Sequence, residues 1–363
     1  MIKDMRWNKY RLGDFIERST ANNRNLKYKE DLIVGVTSDG VFSTPKGSVN
    51  GVDLTPYKIV SNGDFVYNPS RFDLGSIAYR TEGLCIVSHL YQIFHLNEKG
   101  KEKIDPIWLF IYLRRKEFRR EVTFRNFGSQ RPEFNFNDLS EIVLPLPSIQ
   151  QQRKYVDVYL ALQNNLAAYQ SKVEDLKMVC DGYIEELRRK FGAEPIGPYL
   201  RSIDVRNNNL LVTLTQGVDV NMQFIPAKRE AEDQEGTKIV RTGQFAFNKV
   251  VKSNGTKLPI ALREGPDCVI SSSYEVFEVV NKDVLLPEYL MLWLSRSETH
   301  RQCGYKSYGT TRDVFPFEDL CKLQFPIPNI ETQNNIANIY KCYIERQRIA
   351  DTLKEQINNI CPV

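Results

Sequence analysis

Lys58-Ile59-Val60-Ser61-Asn62-Gly63-Asp64-Phe65-Val66-Tyr67-Asn68 returns 180 residues later as Lys238-Ile239-Val240-Arg241-Thr242-Gly243-Gln244-Phe245-Ala246-Phe247-Asn248, with six of the eleven positions identical. Self-similarity of this kind outranks any single motif, because it sets the architecture of the whole chain. Working outward, the matches stay collinear. Ile77-Ala78-Tyr79-Arg80 recurs as Ile260-Ala261-Leu262-Arg263, and Cys85 to Phe94 recurs as Cys268 to Phe277, keeping Ser88, Tyr91 and Phe94 as Ser271, Tyr274 and Phe277. Gly128-Ser129-Gln130-Arg131 recurs as Gly309-Thr310-Thr311-Arg312, Asp138-Leu139 as Asp319-Leu320, and Leu144-Pro145-Leu146-Pro147 as Phe325-Pro326-Ile327-Pro328. The offset drifts from 180 to 183 at the cysteines and settles at 181. The chain is therefore a duplicated unit, each copy about as long as one domain plus a helix.

Within each copy, short apolar runs such as Leu32 to Val36, Phe65 to Tyr67 and Cys85 to Phe94 are bounded by Gly, Asn and Ser and predict strands. Pro106 to Leu113 and Pro287 to Leu294 predict helices opened by proline. The segments around Pro145 and Pro326 cannot continue a central strand and mark each domain's exit. Beyond the exits, apolar residues recur at spacings of three and four. The first series is Val156, Tyr159, Leu162, Leu166, Tyr169, Val173, Leu176, Cys180, Tyr183 and Leu187. The second is Ile336, Ile339, Tyr343, Ala350, Leu353, Ile357 and Ile360, with Arg346 interrupting the seam. Helices of about 45 to 60 Å, at 1.5 Å per residue, can pair antiparallel and hold two domains apart; periodicity alone equally suits plain packing or dimerisation elements. The predicted fold class is α+β. Two tandem mixed α/β domains, 1-148 and 193-328, are separated by two long helices, 149-192 and 329-363, pairing as an antiparallel coiled coil.

Length and composition fit two domains: of 363 residues, 42% are hydrophobic and 26% charged, which are ordinary globular values. There is no apolar run of about 18 residues, and Met1 to Trp7 lacks a signal-peptide core, so a cytoplasmic protein with no membrane association is expected. The seven cysteines are odd in number and never spaced C-x-x-C, which predicts reduced thiols and no zinc cluster. A net charge of +4 is mild for a nucleic-acid binder, so local clusters carry the argument. These are Arg114-Arg115-Lys116, Arg119-Arg120 with Arg125, and Lys249 with Lys252 and Lys257.

Catalytic readings fare poorly. Asn68-Pro69-Ser70-Arg71 lacks the closing aromatic of a base-flipping methyltransferase loop, and no glycine-rich turn stands ready for a nucleotide or S-adenosylmethionine. Carboxylates are dispersed rather than gathered for metal ions. Asp138 and Asp319 are duplicated, but each stands at an element start, where helix N-terminal capping is expected. Ser129 and Thr310 lack a duplicated base, since His89, His95 and His300 align with Ser272, Glu278 and Arg119. No catalytic, metal or cofactor residue is assigned.

Taken together, order, spacing and duplication resemble the specificity subunit of a type I restriction-modification system over nearly the whole chain. The residues that carry the likeness are the exits Leu144-Pro145-Leu146-Pro147-Ser148-Ile149-Gln150-Gln151-Gln152 and Phe325-Pro326-Ile327-Pro328-Asn329-Ile330-Glu331-Thr332-Gln333, and the opening Tyr10-Arg11-Leu12-Gly13-Asp14 with its echo Ile196-Gly197. The resemblance implies two target-recognition domains, each reading half of a bipartite sequence in double-stranded DNA. It implies helices that set the gap and dock two modification subunits, with restriction (motor-nuclease) subunits as further partners. S-adenosylmethionine would belong to the modification subunits, ATP and Mg to the restriction subunit, and this chain would be non-catalytic. A duplicated coiled-coil scaffold binding protein partners is the alternative.

Residues shared by both copies suit scaffolding and phosphate contact, while those that read bases should differ. The shared loops contribute Arg131 and Arg312. The differing positions are Arg71, Arg125, Gln130 and Glu133 in the first copy, and Lys249, Lys252, Asn254, Lys306 and Thr311 in the second.

Overall fold

The computed structural model describes residues 7–45, 47–49, 51–125, 133–227, 236–250, 257–307 and 313–360. The chain divides into two compact units, Met1–Ala168 with Ile349–Val363, and Tyr169–Arg348.

The first copy runs β1 (Asn8–Arg11), β2 (Ile16–Arg18), β3 (Gly35–Val36), β4 (Phe42–Ser43), β5 (Lys58–Val60), β6 (Phe65–Tyr67), β7 (Ile77–Tyr79), β8 (Cys85–Val87) and β9 (Gln92–Leu96). Helices α1 (Glu98–Lys103), α2 (Pro106–Arg114), α3 (Lys116–Arg125) and α4 (Phe136–Ser140) follow, and β10 (Val143–Leu146) leads into α5 (Ile149–Lys190). The second copy runs β11 (Ala193–Pro195), β12 (Leu200–Ile203), β13 (Gln216–Val218), β14 (Phe224–Pro226), β15 (Lys238–Val240), β16 (Phe245–Asn248), β17 (Ile260–Leu262), β18 (Cys268–Ile270) and β19 (Tyr274–Val279). It closes with α6 (Pro287–Leu294), α7 (Ser297–Lys306), α8 (Phe317–Leu320), β20 (Gln324–Pro326) and α9 (Ile330–Asn358).

Topology repeats strand for strand. The antiparallel sheet β2-β9-β6-β7 returns as β12-β19-β16-β17, and the ribbons β1-β10, β3-β4 and β5-β8 return as β11-β20, β13-β14 and β15-β18. Register repeats too: Phe65 faces Phe94 and Phe245 faces Phe277, each pair stacked with ring centroids 4.8 Å apart. The quoted stretch is a strand, a tight turn and a strand. Gly63 and Gly243, at φ +92° and +86°, take the left-handed step that a side chain resists. The following residue then closes the turn by different chemistry, Asp64 accepting from the Ser61 N–H at 2.7 Å and Gln244 from the Arg241 N–H at 2.8 Å.

Two predicted strands differ from the structure. Leu32 ends a 3-10 turn and Ile33 makes only an isolated bridge to Ile86, leaving Gly35–Val36 as the strand. Cys85 to Phe94 is two strands, because Ser88 and Tyr91 close a turn through a 3.1 Å backbone hydrogen bond. Pro145 lies in β10, which pairs with β1 alone, so its missing N–H interrupts no second ladder. The echo at the opening is structural: a Cβ on Gly13 would meet the Ser140 carbonyl at 2.9 Å, and one on Gly197 the equivalent Cys321 carbonyl at 3.1 Å.

The capping expectation holds once. Asp138 accepts from the Asn135 N–H in a reciprocal capping box. Asp319 does not cap, because the matching position is Pro316, which has no N–H; it pairs with Lys322 at 2.7 Å instead.

Both long helices start at a buried glutamine. Gln152 donates to the carbonyls of Lys103 and Pro147 at 2.8 and 2.9 Å and accepts from the Asp105 N–H at 2.8 Å. Gln333 does the same with Val284, Pro328 and Leu286, at 2.8, 2.8 and 2.9 Å. Both side chains are fully buried, so three hydrogen bonds satisfy what burial would otherwise leave costly. Within the second unit, α5 and α9 run antiparallel: Arg346 stacks over Tyr169 at 5.3 Å, while Ile184 and Leu187 share a core with Ile336. The interruption of the seam at Arg346 is thus a cation–π contact.

Candidate nucleic-acid interface

The loop after β6 is built from Asn68, whose side chain accepts from the Ser70 N–H at 3.1 Å and starts a 3-10 turn, Pro69–Arg71. Asn248 repeats the device, accepting from the Val250 N–H at 3.0 Å. Asparagine suits this position because its short amide mimics a turn of backbone. Arg71 ends the turn exposed to solvent, while Phe72 beneath it is fully buried against Tyr67 and Phe134. That burial also removes Phe72 as a ring for stacking on an extruded base.

A second segment closes on this loop. The Phe134 N–H donates to the Pro69 carbonyl at 3.1 Å, which brings exposed Glu133 to the loop that carries Arg71. In the second unit the Phe315 N–H donates to the Lys249 carbonyl at 2.8 Å, and Val250 bridges Val314. Each unit therefore joins the same two segments and presents different side chains there.

The charges are not equally available. Arg125 is paired with Glu121 at 2.8 Å, and Lys249 with Glu275 at 3.0 Å. Among the described residues Arg71 and Lys306 make no ion pair. Gln130, Arg131, Lys252, Asn254, Thr311 and Arg312 lie outside the described residues.

Sequence reasoning missed two exposed aromatics. Phe124 is 81% and Tyr305 90% exposed; they stand at equivalent places near the ends of α3 and α7, each followed by a cation, Arg125 or Lys306. The 181-residue offset was the available signal.

Two of the three histidines, His95 and His300, serve the framework. Nδ1 of His95 lies 3.5 Å from the Asp64 carboxylate, whose pKa burial raises against the opposing pull of the Ser61 N–H and His95. The second unit replaces this pair by Gln244 and Glu278, hydrogen-bonded at 2.9 Å. Burial pushes the thiols of Cys180 and Cys268 up to about 11 and that of Cys303 to about 12, which favours the unreactive protonated form. Among the described residues no three His, Cys, Asp or Glu side chains could hold a metal ion, and no helix is long and apolar enough to cross a membrane.

The model of the type I restriction modification DNA specificity domain matches residues 5–175 and again 206–359. The chain is similar to the MjaX type I restriction enzyme specificity subunit of Methanocaldococcus jannaschii, with 20% identity covering 97% of this chain and 90% of that one. It is also similar to the HindI specificity subunit of Haemophilus influenzae, 27% identical over 42% of this chain and 31% of that one. The fold matches the crystal structure of the type I restriction-modification S subunit from M. genitalium at a TM-score of 0.66, with 11% identity, covering 99% of this chain and 96% of that one.

Proposed function

We propose, from the premise that the chain belongs to the type I restriction modification DNA specificity domain family, that each unit reads one half of a bipartite site in double-stranded DNA. Residues 1-148 and 193-328 are the two readers, and the helices in 149-192 and 329-363 set the gap and dock two modification subunits. As a specificity subunit the chain is not the catalyst. S-adenosylmethionine enters with the modification subunits; ATP and Mg enter with a restriction subunit where one joins, and the assembly works in the cytoplasm.

The observation that carries this reading is the pair of equivalent two-segment sites, one per unit, joined by the same backbone hydrogen bond and furnished with different side chains. Shared backbone positions both readers alike; different side chains let them read different bases. The proposed contacts are Arg71, Arg125, Gln130, Arg131 and Glu133 in the first, and Lys249, Lys252, Asn254, Lys306, Thr311 and Arg312 in the second. Phe124 and Tyr305 add a ring beside a cation, a combination suited to a sugar or base face.

Exchanging residues 195 to 325 for those of a relative tests the reading. Methylation-sensitive sequencing of DNA modified by the reconstituted complex is expected to show one half-site changed and the other intact. A change in both halves overturns the modular reading, and a binding affinity indifferent to salt favours a protein-binding scaffold.

A further inference from the structure

The loops that carry Arg71 and Lys249 are fixed at both ends, and their far ends are held by unlike chemistry. The near and far ends meet through the Asn68 N–H and Ser76 carbonyl at 3.0 Å, and through the Asn248 N–H and Pro259 carbonyl at 2.9 Å. Between these anchors the second loop holds three more residues than the first.

In the first unit the last loop residue is Gly75, at φ +89°. The Arg119 guanidinium lies against its bare α-carbon: a Cβ there would meet Nη2 at 2.6 Å and Cζ at 2.8 Å. The Gly75 carbonyl accepts from Arg114 Nη1 at 2.8 Å, and Arg114 Nη2 donates to the Ser38 carbonyl at 3.3 Å. Ser38 belongs to the turn between β3 and β4, where Gly40, at φ +76°, leaves room for Arg114. One guanidinium thus ties the recognition loop to a hairpin.

In the second unit Leu258 takes the place of Gly75, and His300 that of Arg119. The Leu258 N–H donates to His300 Nδ1 at 3.2 Å, with both residues buried. The same helix position therefore supplies a guanidinium in one copy and a hydrogen-bond acceptor in the other. An arginine has no acceptor to offer the Leu258 N–H, so the two anchors cannot be exchanged without their loops.

We infer that Arg114 with Arg119, and His300, are positioning residues that fix the far end of each loop and so set where Arg71 and Lys249 stand. The inference rests on reading these loops as DNA readers. A side chain such as Arg71 discriminates bases only if its own backbone is held to a fraction of an ångström. These helix residues hold the far end of each loop from the side, at Gly75 in the first unit and at Leu258 in the second.

The test is selection from a DNA pool randomised in both half-sites, using the full chain with its modification subunits. Arg114→Met keeps the bulk and removes the donors, and Arg119→Ala removes the guanidinium that packs on Gly75. Each is expected to lose about tenfold or more of base discrimination in the half-site read by the first unit, as ångström-scale misplacement does, and to leave the other half unchanged. His300→Phe is expected to do the reverse, and His300→Asn, which keeps an acceptor, to restore it. Arg114→Lys serves if the Met variant does not fold, and is expected to retain part of the discrimination. Folded variants with unchanged preferences, or equal losses in both halves, overturn the inference while leaving DNA recognition standing. A wild-type complex with no bipartite preference removes both.

Discussion

At the scale of single residues, the repeated positions separate into those kept for their geometry and those replaced in matched pairs. Gln152 and Gln333 are of the first kind: each side chain satisfies three buried backbone groups. Gln152→Ala is expected to cost about 2–4 kcal/mol, since leaving a buried donor or acceptor unmade costs roughly 1–3 kcal/mol, and urea unfolding monitored in the first unit would measure it. His300 shows the second kind, and its environment gives stability a pH dependence. Burial, assisted by nearby Lys257, lowers its pKa below the usual histidine value, so the unfolded chain binds the proton more readily. Its contribution is therefore whole above the unfolded pKa of about 6.5 and fades as pH falls through the lower folded value. His300→Asn is expected to flatten that acid loss, measured as the thermal midpoint of the second unit between about pH 7 and pH 5. Little of this was legible beforehand: aligning His300 with Arg119 argued against catalysis, but only the partners Leu258 and Gly75 say what the position does.

At the scale of elements, the sequence announced the duplication and its exits clearly, because apolar strands, proline and helical spacing each impose a local pattern. It was less clear where contacts between distant segments decide. The drift in offset has a structural cause at both places. Three residues enter the second loop between Asn248 and Pro259, and two are lost where α1 of the first copy has no helical counterpart before α6. Cys85 to Phe94 looked like one strand because its turn residues are partly apolar, Leu90 included; the Ser88–Tyr91 hydrogen bond breaks it. Asp319 looked like a cap because Asp138 is one, and the difference lies three residues upstream, in the proline. The candidate contacts were legible as chemistry but only partly as availability: Glu121 stands four residues before Arg125, the spacing of a helical ion pair, whereas Glu275, which engages Lys249, lies 26 residues away across the sheet.

At the scale of the whole molecule, both long helices contribute to both compact units: the unit boundary falls within α5, between Ala168 and Tyr169, and again within α9, between Arg348 and Ile349. Seven residues inserted into each helix preserve the seam while lengthening it by about 10 Å at 1.5 Å per residue. The gap between methylated half-sites is expected to widen by about three base pairs, at roughly 3.4 Å per pair. An unchanged gap in modified DNA would count against the helices as the ruler. The glutamine at each helix start then acquires a mechanical meaning. A helix of 42 residues is a lever about 63 Å long, and a tilt of about one degree at its root swings the tip by about 1 Å, the margin within which a hydrogen bond is made or lost. Three short bonds at Gln152 are an angular stop on that lever.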